Sequence, residues 1–424
     1  MRDGGFTNFM MVKSTAIVLS GALLAQLIGF VSIPILSRVF TPAEMGIFQI
    51  ASAAMATTLP LSTLKYEFAI LRVKANWQVA ALLYTCIVMT VCMAVIVPSV
   101  GHLWRSLGGP LDNIWTSWML FAMLTGGGIF QAVWQVAVRE SRYTRMALAK
   151  PLQALVFNLF SIVGGFSSAA GAVILVLGDM LSRIASSAVA LRKCDIWPER
   201  ITSHLNIRRL RLLLWRHRKY PFFSVPSGII GAFAASLPVF WLGAMYSDEV
   251  VGQFGMAWRT VFMPATMITL AISQVVNGRL SIIVRQNSMH VGSYIMKVAF
   301  TVTAYATLPI LSLLIWGESA LMLLLGPEWD MAGKMLNAMV PLLFSVVLGG
   351  PIGMTLVVIG RPDLQLYWDL SRLFLLVAVF SVCVSVSINP VFFVLGYSMA
   401  MLMASVCFLA LSVWASHKSY APAS

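Results

Sequence analysis

"RKCDIWPERITSHLNIRRLRLLLWRHRKY", residues 192–220, is the longest polar stretch in a chain of 424 residues and divides it almost equally. On both sides the sequence is a succession of apolar runs near twenty residues, the length an α-helix needs to cross about 30 Å of hydrocarbon. With 59% hydrophobic and 10% charged residues, the composition is that of a membrane protein. Breaks at charged or Pro/Gly-rich points predict spans near 14–37, 44–66, 76–98, 114–138, 150–167 and 170–191 before the polar stretch. After it they predict 222–245, 250–278, 292–316, 334–358, 364–386 and 390–414. The expected fold class is therefore an all-α polytopic membrane protein with twelve transmembrane helices. Its parts are an N-terminal lobe (1–191), a cytoplasmic basic linker (192–220) and a C-terminal lobe (221–424).

The net charge of +14 would suggest a nucleic-acid partner in a soluble protein, but here the basic residues sort by membrane side. With the N-terminus cytoplasmic, one set of loops holds Arg2, Lys13, Lys65, Arg72, Lys74, Arg139, Arg142, Arg145, Lys150, the block Arg192 to Lys219, Arg279, Arg285, Lys297, Arg361, Arg372 and Lys418. The opposite set holds only Arg38, Arg105 and Lys334, and it also holds Glu44, Asp112, Asp248, Glu249, Glu318, Glu328 and Asp330. Because short-loop Lys/Arg bias sets orientation, both termini are expected in the cytoplasm and the span count even. No nucleic-acid partner is expected.

Within the linker, Leu205, Ile207, Leu210, Leu213, Leu214 and Trp215 interleave with Arg208, Arg209, Arg211, Arg216, Arg218 and Lys219. That composition suits a helix lying on an anionic leaflet, although an ordinary positive-inside loop would also contain it. The halves echo each other weakly: Gly46 and Phe48 in "SRVFTPAEMGIFQI" fall opposite Gly252 and Phe254 in "GAMYSDEVVGQFGM". Halves that both start on the cytoplasmic side would be parallel repeats. Pro34, Pro60, Pro238, Pro264, "TGGGIF" (125–130) and "LGGPIG" (348–353) are places where helices of a shape-changing protein would kink. Cys86, Cys92, Cys194, Cys383 and Cys407 show no metal-ligand or CxxC spacing and read as small apolar residues. The first apolar stretch is too long for a signal-peptide core and reads as a retained helix.

Five segments, in order and in both halves, carry a family resemblance: "PILSRVFTPAEMGIFQI" (34–50), "LKYEFAI" (64–70), "AWRTVFMPATMITLAISQVVNGRLS" (257–281), "LLGPEWDMAGKML" (324–336) and "VVIGRPDLQL" (357–366). They resemble the corresponding segments of Wzx-type polysaccharide flippases. These belong to the multidrug/oligosaccharidyl-lipid/polysaccharide exporter superfamily, which also contains the MATE antiporters and the lipid II flippases. The resemblance implies two six-helix lobes around a central cavity, the MATE-like fold, in a bacterial cytoplasmic membrane. It further implies alternating-access flipping of an undecaprenyl-pyrophosphate-linked oligosaccharide to the outer leaflet for O-antigen, capsule or exopolysaccharide assembly. Membrane lipids and polysaccharide polymerase machinery would be its partners.

Such a cargo needs cationic groups within the spans, and the sequence contains candidates. Arg259 lies about nine residues into its span, near mid-membrane, and has no acid one turn away on its own helix. It reads either as a packing charge paired with Asp179 or as a cavity cation whose guanidinium fork meets pyrophosphate or sugar hydroxyls, and the second reading is preferred. Asp179 and Arg183, four apart, share one helix face. A structural pair and a cavity role both stand, and Asp179 is the candidate carboxylate for proton or cation coupling. Lys65 and Glu67 match the family's basic-Tyr-Glu segment, whose charges face the cavity, with Lys in place of the commoner Arg. Arg139 and Arg142 are expected at the cytoplasmic mouth, and Asp369 with Arg372 as a structural pair. No bound cofactor is expected.

A MATE-like drug antiporter would share the fold but commonly places an acid in its first span, and residues 14–37 contain none. Lipid II flippases usually have further C-terminal spans. A membrane polymerase or ligase would need catalytic groups on a large outer loop, whereas the longest expected here, about 317–333, has no His or Arg. Without a metal cluster, nucleophile–base spacing or nucleotide-binding loop, transport is expected rather than enzymatic activity.

Overall fold

The computed structural model describes residues 3–73, 75–106, 114–167, 171–192, 207–285, 291–386 and 388–420. Lys74, Asp112, Cys194 and most of the first part of the basic segment (193–206) lie outside them. The described residues contain helices and no strand. Eleven helices are long and apolar enough to cross a membrane, and a bent pair makes a twelfth.

The chain divides into two compact units, residues 1–240 and 241–424. The first contains α1 (Asp3–Val39), α2 (Pro42–Ser62), α3 (Asn76–Ser106), α4 (Ile114–Arg139), α5 (Tyr143–Ser167), α6 (Gly171–Leu191), the short α7 (Ile207–Arg216) and most of α8 (Val225–Met245). The second contains α9 (Asp248–Arg285), α10 (Val291–Leu325), α11 (Asp330–Ala338), α12 (Val340–Gly349), α13 (Thr355–Val358), α14 (Pro362–Ser385) and α15 (Pro390–Tyr420). Each of the twelve sequence-predicted spans has its counterpart.

In the first unit α1 lies along α5, while α6 packs against both α4 and α5. In a bilayer, helices gain little from burying apolar surface against each other, so contact depends on backbones coming close. Gly21 provides the closest approach: a Cβ there would stand 2.1 Å from the carbonyl oxygen of Ala147 on α5. The triplet Gly126–Gly128 does the same for α4. Added Cβ atoms would come within 3.0 Å of the Met180 backbone, 3.0 Å of Leu59 and 2.5 Å of the Thr90 hydroxyl, on α6, α2 and α3 respectively. "TGGGIF" thus lies within continuous helix and serves close packing.

The resembling segments largely build corners. Thr41 and Glu44 form a reciprocal cap on α2, with Thr41 N–H donating to Glu44 at 2.8 Å. "LLGPEWDMAGKML" turns at Gly326, buries Trp329 and is latched to α9. Gln253 donates to the Glu328 carbonyl (2.7 Å) and accepts from Ala332 N–H (2.9 Å). Gly46 and Phe48 occupy the fifth and seventh positions of α2, as Gly252 and Phe254 do in α9, and all four are buried.

Two details differ from the expected spans. The loop expected at 317–333 is helical through Leu325, continues as a single 3₁₀ turn (Pro327–Trp329) and re-enters helix at Asp330. The tenth span is broken, α11 and α12 meeting at 49° around Met339. Pro341 explains the break, since it lacks an N–H and crowds the preceding turn.

Candidate functional site

After Ser62, Leu64 and Lys65 adopt left-handed conformations (φ 49° and 58°) that end α2 and start the 3₁₀ turn Tyr66–Leu71. This places Lys65 and Glu67 together, with Nζ 3.7 Å from Oε1. Glu67 is fully buried, yet each of its oxygens has a neutral donor. Thr63 donates to Oε2 at 2.5 Å, and Gln131 of α4 donates to Oε1 at 2.8 Å. Oε1 of Gln131 is buried without a donor.

One residue away on the same stretch of α4, Phe130 begins a second cluster. Lys150 of α5 lies over the rings of Phe130 and Trp134, at 4.9 and 5.1 Å. Its position, seven residues past Tyr143, puts it about 10 Å along the helix from that end. No acid lies within ion-pair distance of it among the described residues. Instead it is near enough to the like charge of Arg183 on α6 to feel it. Arg183 donates to Asp179 at 2.7 Å, so the carboxylate considered as a partner for Arg259 has a guanidinium on its own helix. The first unit thus carries a band of embedded charge, three cations (Lys65, Lys150, Arg183) against two acids (Glu67, Asp179), linked by Phe130, Gln131 and Trp134.

Glu67 gives the clearest local test. Removing a buried carboxylate strands Thr63, Gln131 and Lys65, a loss of about 3 kcal/mol or more. Glu67→Ala is therefore expected to lower the melting temperature in detergent substantially, whereas Glu67→Gln, whose oxygen still accepts from Gln131 while its NH2 can donate to the Thr63 hydroxyl, should cost only about 1 kcal/mol. Equal melting of the two variants would refute this account of Glu67.

The other candidates lie elsewhere. Arg139 donates to the Val73 carbonyl at 2.8 Å, tying the end of α4 to the turn after α2. Arg142 pairs with Glu140 and donates to the Arg192 carbonyl at 3.2 Å. In the second unit, Arg259 is half-buried on α9, eleven residues or about 16 Å from Asp248. Beside it Trp258 and Phe262 stack at 4.3 Å. Asp369 and Arg372 pair at 3.3 Å, with Arg372 over Trp368.

Solved structures supply the fold comparison. An inward-facing MATE-family multidrug resistance transporter of the MOP superfamily aligns with a TM-score of 0.67 at 12% identity, covering 96% of this chain and 96% of that one. Lipid II flippase MurJ in an inward closed conformation aligns at 0.71 and 12% identity, covering 93% of this chain and 86% of MurJ. The chain shares the fold of these two transporters. A third MOP-superfamily transporter, from Pyrococcus furiosus and with a binding pocket of reverse polarity, aligns at 0.60 and 13% identity over 96% and 95% of the two chains. No family model and no curated protein matches the sequence. The shared fold, with eleven to twelve apolar helices of spanning length, makes this a multi-pass membrane protein.

Sequence reasoning missed Lys150, Phe130, Trp134 and Gln131. Lys150 was assigned to a loop because a charge was used to mark where a span begins, whereas α5 starts at Tyr143. A run of helix-compatible residues before "KPLQALV" was the available signal.

Proposed function

We propose that this protein is a transporter of the bacterial cytoplasmic membrane, with both termini in the cytoplasm. By alternating access it moves an undecaprenyl-pyrophosphate-linked oligosaccharide to the outer leaflet for surface polysaccharide assembly. The observation that carries this reading is the cationic surplus of the embedded band, in which Lys150 has aromatic neighbours and no acid among the described residues. Intramembrane charges usually mark pathways, and a surplus of cations favours an anionic cargo. The orphaned Gln131 Oε1 adds an acceptor suited to a sugar hydroxyl. In the second unit, Arg259 is the cation we assign to cargo binding, with a fork matched to phosphate oxygens. Asp179, bonded to Arg183, is the carboxylate we assign to ion coupling.

Deleting the gene is expected to trap lipid-linked oligosaccharide on the cytoplasmic side and abolish surface polymer. Wild type should restore polymer, Arg259→Lys should restore part, and Arg259→Ala should restore less than about a tenth at equal protein level, a loss above 1.4 kcal/mol. Normal polymer in the deletion strain, accompanied by altered drug susceptibility, would assign the chain to small-molecule antiport instead, a function that the MATE-family neighbours make the natural alternative.

A further inference from the structure

The amphipathic α7 and the π-helical turn after it (Tyr220–Ser224) line, with Tyr66, an open pocket of about 650 Å³. Its apolar wall is Tyr66, Leu210, Leu214 and Phe222, and its cations are Arg211 and Arg218. Tyr66 fixes the wall by donating to the Leu214 carbonyl at 3.4 Å, and the Arg218 guanidinium lies 4.1 Å from the Trp215 ring. Neither Arg211 nor Arg218 has an acidic partner among the described residues. Leu212, Trp215 and Phe222 are exposed at 68%, 63% and 71%, far more apolar surface than water would tolerate on so short a segment.

We propose that this pocket binds one anionic glycerophospholipid of the surrounding leaflet, its phosphate held by Arg211 and Arg218 and its proximal acyl chain laid along Leu210, Leu214 and Phe222. Charge complementarity selects the occupant. Between Ile207 and Ser224 there are six Arg or Lys residues (Arg208, Arg209, Arg211, Arg216, Arg218, Lys219) and no acid. Burial together with Arg216 and Arg72 pushes the pKa of His217 down, so the permanent charges here are those of Arg and Lys. An apolar floor beneath two guanidiniums matches a phosphodiester with attached hydrocarbon, where a soluble anion would leave the floor wet. Because Tyr66 stands between Lys65 and Glu67, the lipid would rest against the turn that holds the embedded charges. The proposal does not depend on which cargo the protein carries.

The test titrates the purified full-length protein in detergent with dioleoylphosphatidylglycerol and reads the lipid-bound fraction by native mass spectrometry. Arg211→Gln/Arg218→Gln is expected to weaken binding about tenfold or more, since each cation near an anionic surface is worth roughly a fivefold change. Arg209→Gln/Arg216→Gln, with the same loss of charge away from the pocket, should change it less than threefold. Arg218→Lys, a milder variant should the double one fail to fold, should weaken it measurably by losing the fork. Equal weakening by the two double variants would reduce the site to diffuse surface attraction and overturn the proposal. Displacement of the lipid by inorganic phosphate, or equal affinity for dioleoylphosphatidylcholine, would overturn it as well.

Discussion

Lys150→Met is expected to reduce restoration of surface polymer by more than tenfold while leaving the melting temperature unchanged or higher. The two effects have opposite signs for one reason. Half-buried Lys150, over the rings of Phe130 and Trp134, with no carboxylate beside it among the described residues and Arg183 nearby, has exchanged part of its hydration for two ring faces. Cation–π contacts return about 0.5–2 kcal/mol, less than desolvating an ammonium takes away. Methionine has a similar shape, packs well on aromatic rings and carries no charge, so the fold should not suffer. Lys150→Arg should retain part of the activity. A variant that melts early but still supports polymer would make Lys150 a packing residue and remove it from the site.

Gly21→Val is expected to have the largest effect on folding. Its Cβ would overlap the backbone of Ala147, and backbone, unlike a side-chain tip, has no rotamer in which to retreat. Overpacking a close contact costs about 1–3 kcal/mol, and here α1 must also separate from α5 along much of their length. Membrane-inserted protein should fall several-fold in quantitative blots. Gly29→Val, on the same helix in open space, should accumulate normally. Equal levels of the two variants would show that α1 and α5 do not need the close approach.

The spans were legible because apolar runs and loop charges are local and additive: each is readable without knowing its neighbours. Asp179 and Arg183 were legible for the same reason, since four residues on a helix is one turn, and they bond at 2.7 Å. What escaped was tertiary. Gln131 meets Glu67 from 64 positions away, and nothing about a glutamine in an apolar helix announces that partner. Lys150 escaped because a hydropathy window ends at a charge whether or not the helix does. The break at Met339 was averaged away, as the seven large apolar residues of α12 outweigh one proline in any window.

The glycine triplet of α4 bears on how such a protein changes over time. Gly126, Gly127 and Gly128 each spend their missing side chain on a different neighbouring helix. A larger residue at Gly127 or Gly128 is accommodated best once Leu59 on α2 or Thr90 on α3 has become smaller, whereas at Gly126 it would meet the backbone of α6 itself. The ancestry of this stretch is therefore expected to move in pairs, with changes on separate helices arriving together, while the exposed faces of the same helices drift one residue at a time.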